Sequence, residues 1–220
     1  MLGLAVSIIL PEVIPVFRFP PPTGPYGIGT VTYHWVDADR PEVFTADPDD
    51  RRELMVQIWY PAEGNRSSPR APYIPDADVV APAIARLIKL PEFILGHLKY
   101  VTTNAVASAP VADDQPRYPV LVLLVGLGGY RQVYTFQVEQ LVSHGYIVAA
   151  IDHPYAAAMV VFPDGRKVAC NLRIASRATT PTRPLRTTPS RTPASRISRR
   201  TPCSPWIGSP RSTRPTRTAS

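Results

Sequence analysis

Gly126, Leu127, Gly128 and Gly129 form a run that exposes backbone N–H groups with little side-chain cover. A glycine-rich loop between a strand and a helix has two chemical uses. One is to hold phosphate at the helix N-terminus. The G-x-G-x-x-G spacing fails, however, because the third glycine position is Arg131, and no Walker lysine and serine follow. The other use is an oxyanion hole, in which N–H donors at the end of a third strand face a developing alkoxide. A loop that needs glycine only to turn is the plain alternative. The loop by itself does not choose among these readings.

Other reactive residue types carry less. His153 follows a strand end, the right edge for chemistry in a parallel sheet. His144 precedes Gly145 at a helix end, where a protonated ring suits the helix dipole. His97 has no charged partner within a motif and reads as surface or core. Asp47, Asp49 and Asp50 lack the D-x-D-x-D-G spacing of a calcium loop and read as a solvated hairpin loop. Cys170 and Cys203 lack metal-ligand spacing and read as unpaired thiols. Asn65-Arg66-Ser67 fits the glycosylation pattern, a frequent chance match. No metal or organic cofactor is implied.

The elements that would position the glycine loop are clear. Val120–Val125 is a continuous apolar run between Pro119 and Gly126, as in a strand buried on both faces. Gln132–His144 carries a loose helical stripe of Val133, Phe136, Val138, Leu141 and Val142, and Gly145 stops it. Ile147–Ile151 is a second apolar strand, ending at Asp152. Strand, loop, helix and strand make a βαβ unit, so the sheet is parallel there and the class is α/β. Upstream, Gly27–Val36 and Glu53–Tyr60 alternate as two antiparallel strands. Ala81–Leu98 has helical spacing that Pro91 breaks or kinks, and such an insertion can also form a membrane-facing or acyl-binding lid. Val160–Val168 reads as a hairpin around Pro163-Asp164-Gly165.

The net charge of +7 conceals two unlike segments. Residues 1–167 hold all 17 acidic residues and 13 Lys and Arg, a net −4. Residues 168–220 hold 11 Arg with no Lys and no acid. Of the 53 residues from Val168, 37 are Arg, Pro, Ser or Thr, so apolar periodicity disappears and a disordered tail is expected. Two origins compete: a genuine basic tail, or a shifted reading frame beginning near Val168–Arg173. A shifted frame accounts better for so abrupt a change. Met1–Leu10 is apolar but shorter than the about 20 residues of a membrane span. It is read as the stub of a longer hydrophobic anchor, with a packed arm as the alternative.

The sequence PVLVLLVGLGGYRQVYTFQVEQLVSHGYIVAAIDHPY resembles the platelet-activating factor acetylhydrolase family of α/β-hydrolase esterases. Gly126-Leu127-Gly128, Tyr130-Arg131, Tyr134 and Leu141–Ala150 carry the likeness. Pro22–Thr30, Val31–Val36, Arg52–Ala62 and Val161–Arg166 extend it, and it fades over Glu63–Arg117. Where family members carry Ser-His or Ser-Pro before the first glycine, this chain has Leu124-Val125. The resemblance implies the N-terminal part of an α/β-hydrolase fold, with an incomplete, mostly parallel sheet. It implies a serine esterase acting on short-acyl lipids or small esters, with contact to a membrane surface. It also implies that Leu127 donates its backbone N–H to the oxyanion.

Such an enzyme needs a nucleophile in G-x-S-x-G, then an acid, then a histidine. No G-x-S-x-G occurs in the 220 residues. Nucleophile, acid and base are therefore expected to be absent, and the chain inactive. The expected division is an arm over 1–21, a partial hydrolase domain over 22–168 and a tail over 169–220. The alternatives are a noncatalytic protein whose basic tail binds nucleic acid or an anionic membrane, or a pseudogene product without function. The singly spread arginines and scarce aromatics disfavour nucleic acid. Membrane association is expected through a longer upstream segment, and otherwise a cytoplasmic location. The sequence does not give the oligomeric state.

Overall fold

A computed structural model describes residues 16–63 and 68–172. The apolar N-terminal stub, Asn65-Arg66-Ser67, Cys203 and the tail from residue 173 lie outside the described residues.

Strands β1 (Gly27–Pro41) and β2 (Arg51–Ala62) pair antiparallel, from Gly27 opposite Ala62 to Asp37 opposite Arg52. Period-two alternation sends Trp59 to one face of β2 and Ile58 and Tyr60 to the other. Both faces are covered because β2 lies between β1 and a later strand. Helix α1 (Ala77–Leu87) is followed by a 3₁₀ segment (Glu92–Tyr100). The break falls at Pro91, as its missing N–H and fixed φ require. The start differs from expectation. Pro82 after Ala81 reads as a helix beginning, yet the helix starts four residues earlier and encloses that proline.

Two strands lie where the sequence pattern is faint: β3 (Arg70–Pro72) and β4 (Thr102–Ala107). The βαβ unit follows as β5 (Val120–Leu124), α2 (Thr135–Ser143) and β6 (Ile147–Asp152). Gly145, at φ 92°, takes the left-handed conformation that ends α2. A small hairpin, β7 (Met159–Val161) and β8 (Lys167–Ala169), closes the described chain. Its turn has Gly165 at φ 86°. Backbone bonding continues past β8, from Cys170 N–H to Ala158 and from Asn171 N–H to Tyr155.

The main sheet has the order β3-β4-β1-β2-β6-β5. It is mixed: β5–β6 and β1–β4 are parallel, and the other pairs are antiparallel. One face packs under α2, where Val138 and Val142 meet Ile28, Trp59, Ala105, Val148 and Ala150. A second core joins α1 to the 3₁₀ segment through Tyr73, Val80, Ala83, Leu98 and Val101.

The two edges of the sheet differ. β3 is three residues long and carries Arg70 and Pro72, devices that discourage further pairing. β5 is wholly apolar, yet Val120, Val122 and Leu124 are 60%, 63% and 64% exposed. Burial on both faces was the expectation for this run. Only one flank of β5 is paired among the described residues, and only Leu123 packs into the core beneath α2.

Candidate active site

The carboxyl ends of β5 and β6 lie side by side because the two strands run parallel, with Leu124 opposite Ile151. The glycine loop leaves the first end and Asp152-His153 leaves the second. This is the edge where an open α/β sheet places its chemistry.

Two backbone bonds lock the loops together. Gly128 N–H donates to Ala156 O at 2.7 Å, and Ala158 N–H donates to Gly129 O at 2.7 Å. Within the loop, Gly129 N–H donates to Gly126 O at 2.8 Å. Gly128 has φ 78°, so a side chain there would be strained. The N–H groups of Gly128 and Gly129 are thus engaged. That of Leu127 has no hydrogen-bond partner among the described residues, and the Leu127 side chain is half exposed.

Arg131, directly after the loop, is buried and anchored. Its backbone N–H and its Nη1 each donate to the Asp152 carboxylate at 2.6 Å. Asp152 is 1% exposed. Burial pushes its carboxyl above the usual range, and the Arg131 guanidinium pulls it back down. Gln132 adds a second anchor, donating through Nε2 to Gln57 Oε1 at 3.0 Å, while Gln57 Nε2 donates to Thr30 Oγ1 at 3.0 Å. Tyr130 contributes a third, with its hydroxyl 2.9 Å from that of Tyr73. Burial raises both phenols. The loop is therefore pinned on consecutive residues 130, 131 and 132 to three different elements. Such pinning gives an oxyanion donor its value, because no reorganisation is needed during the reaction.

The remaining residues sort plainly. His153 is half-buried beside Arg52, whose Nη2 lies 3.4 Å from Nδ1. Burial, then the Arg52 charge, lowers its basicity. His144 caps α2, and its Nε2 is 3.1 Å from Thr23 Oγ1. His97 Nδ1 is 2.9 Å from Ile94 O, a local bond within the 3₁₀ segment. The Cys170 thiol, 3.5 Å from Ala156 O, is pushed up by burial. No group of three or more His, Cys, Asp or Glu among the described residues could hold a metal ion. Asp47 bonds the N–H of Asp49 in a local turn.

The Arg131–Asp152 anchor was not foreseen. Its signal was present as two charges, each immediately following a strand end or loop in an otherwise apolar unit. Only the parallel pairing of β5 and β6 places them together.

A strand-loop-helix unit bearing a pinned glycine loop, set in this sheet order, defines the N-terminal part of an α/β-hydrolase. A family model described as platelet-activating factor acetylhydrolase, isoform II, matches residues 13–171. The chain belongs to that esterase family. It is 30% identical over 118 residues to platelet-activating factor acetylhydrolase of Cavia porcellus, covering 50% of this chain and 26% of that protein. The Canis lupus familiaris protein of the same name is 36% identical over 74 residues, covering 34% of this chain and 16% of that one. A solved ferulic acid esterase from Streptomyces cinnamoneus superposes with a TM-score of 0.59 at 37% identity. That match covers 74% of this chain and 43% of the solved one. The chain spans less than a third of the length of these curated relatives.

Proposed function

We propose that residues 22–168 form the oxyanion-binding part of a carboxylic ester hydrolase acting on short-acyl lipids or small esters. The observation that carries this reading is the unengaged N–H of Leu127 in a loop fixed on three sides. In the reaction, a serine oxygen attacks the acyl carbon and its proton passes to a histidine. The carbonyl oxygen becomes an oxyanion, and the Leu127 N–H stabilises it with a second donor that follows the serine. Collapse expels the alcohol, which takes the proton, and water then releases the acyl group by the same steps in reverse order. No G-x-S-x-G stretch supplies that serine in this sequence, so the chain alone is inactive. Apolar Ile88, Leu90 and Phe93, exposed between α1 and the 3₁₀ segment, serve as the contact to a lipid surface.

The test is a chimera. Residues 172–220 are replaced by the part of the Streptomyces cinnamoneus esterase that follows the matched region. Purified chimera is expected to hydrolyse p-nitrophenyl acetate, and the unmodified chain is not. A folded chimera without turnover, or turnover by the 220-residue chain that tracks with purification, defeats the reading.

A further inference from the structure

The bare edge of β5 has a consequence for assembly. Strand edges with unpaired N–H and C=O groups are templates for another strand unless charge, proline, a bulge or cover prevents it. β3 at the other edge carries such protection in Arg70 and Pro72. β5 contains none: its five residues are Val, Leu, Val, Leu and Leu.

Its surroundings are apolar as well. Leu123 packs into the core beneath α2, so alternation places Leu121 on the same face and Val120, Val122 and Leu124 on the opposite one. Those three are the residues left exposed on the uncovered face. On α2, Glu139 turns toward β4, accepting from Asn104, and Gln140 and His144 turn toward Thr23. The helix flank opposite these faces the β5 side of the sheet. Helical geometry places Tyr134 and Leu141 there, both exposed.

We infer that two copies of this chain associate through β5, pairing antiparallel about a two-fold axis centred on Val122. Identical edges related by a two-fold meet antiparallel and close the assembly at two copies. In that register Val122 faces Val122, Val120 faces Leu124 and Leu121 faces Leu123. Continuing outward, Tyr118 meets Gly126 and Arg117 meets Leu127. No charge is set against a like charge anywhere along the seam. The two six-stranded sheets become one continuous sheet, and Val120, Val122 and Leu124 of both copies form a single apolar cluster.

The chain's own termini suit this edge less well. The described chain begins at Val16 and Phe17, and Phe17 packs on Tyr73 beside β3, at the far edge. Residues 173–220 contain 8 prolines and 11 arginines. Each proline lacks the N–H that a ladder needs, and arginine is a poor neighbour for exposed valine and leucine.

The test is sedimentation of the full 220-residue chain over a wide concentration range, with the variants Val122→Lys and Val122→Glu. The wild type is expected to sediment at twice the chain mass. Each variant places like charges together at the axis and is expected to sediment as a monomer. An equimolar mixture of the two variants is expected to recover the dimer. Amide exchange of the wild type supplies a reading that needs no substitution: Val120–Leu124 should become more protected as concentration rises. A monomeric wild type, a dimer indifferent to both single variants, open-ended polymers, or exchange in β5 independent of concentration would each overturn the proposal.

Discussion

The Asp152 carboxylate receives both the backbone N–H and the guanidinium of Arg131, each at 2.6 Å. One side chain at the end of β6 thus fixes the direction of the chain as it leaves the glycine loop after β5. The pair is nearly water-free, with Arg131 6% and Asp152 1% exposed.

Breaking this pair from one side should be costly. Asp152→Ala leaves a buried guanidinium uncompensated, with an expected loss of about 3–5 kcal/mol. The double variant Arg131→Met with Asp152→Ala should recover much of that, because no charge stays stranded. Urea unfolding of the single and double variants measures the difference. Equal losses in both would show that packing, not charge, is at stake.

Glu139 should make stability depend on pH. It is buried on α2 and accepts from Asn104 N–H at 2.6 Å and from Asn104 Nδ2 at 2.8 Å. Burial raises its carboxyl above the usual range, and the Asn104 bonds oppose this without cancelling it. The folded state therefore holds the proton more tightly than the unfolded chain does. The resulting stabilisation is fully present below the unfolded value of about 4.3. It is lost as pH rises through the higher folded value. Relative to Glu139→Gln, the wild type should lose stability over that rise. A constant difference across unfolding curves from acid to neutral pH would contradict this.

Gly145→Ala should destabilise the chain by more than about 1 kcal/mol, because its φ of 92° is unfavourable for any residue with a Cβ. The added carbon would also sit 3.4 Å from the Tyr26 ring. A lowered melting temperature is the expected result. An unchanged one would mean that the loop after α2 relaxes freely.

Leu127→Pro removes one N–H from the glycine loop. In the active chimera this should lower kcat by about 10²–10³-fold. KM should change little, because the donor acts on the oxyanion and not on the bound ester. A loss confined to KM would assign Leu127 to substrate binding.

Much of this architecture was legible in the residues. The run Val120–Val125, the stop at Gly145 and the apolar Ile147–Ile151 specified the βαβ unit because burial and backbone freedom act locally there. Pro163-Asp164-Gly165 marked the last hairpin for the same reason. Thr102–Ala107 was not legible: its threonines and asparagine give no alternation, and its place in the sheet comes from pairing with β1 and β3. The exposure of β5 was also hidden, since a strand's composition reports the neighbours it suits and not those it has. The site was half legible. Glycines announce a loop directly, whereas its anchors at Asp152, Gln57 and Tyr73 are brought together only by the sheet.

The segment before β1 is stitched to α2. Thr23 N–H and Oγ1 donate to Gln140, and Gly24 N–H donates to Ser143, partners 117 and 119 positions downstream. β2 likewise waits for β6, with Met55 opposite Asp152. On a ribosome, the first third of the chain would emerge long before its permanent neighbours are synthesised. Contacts of such long range slow folding and leave early segments exposed in the meantime. The nascent polypeptide should therefore depend on trigger-type chaperones until residue 152 has cleared the exit tunnel.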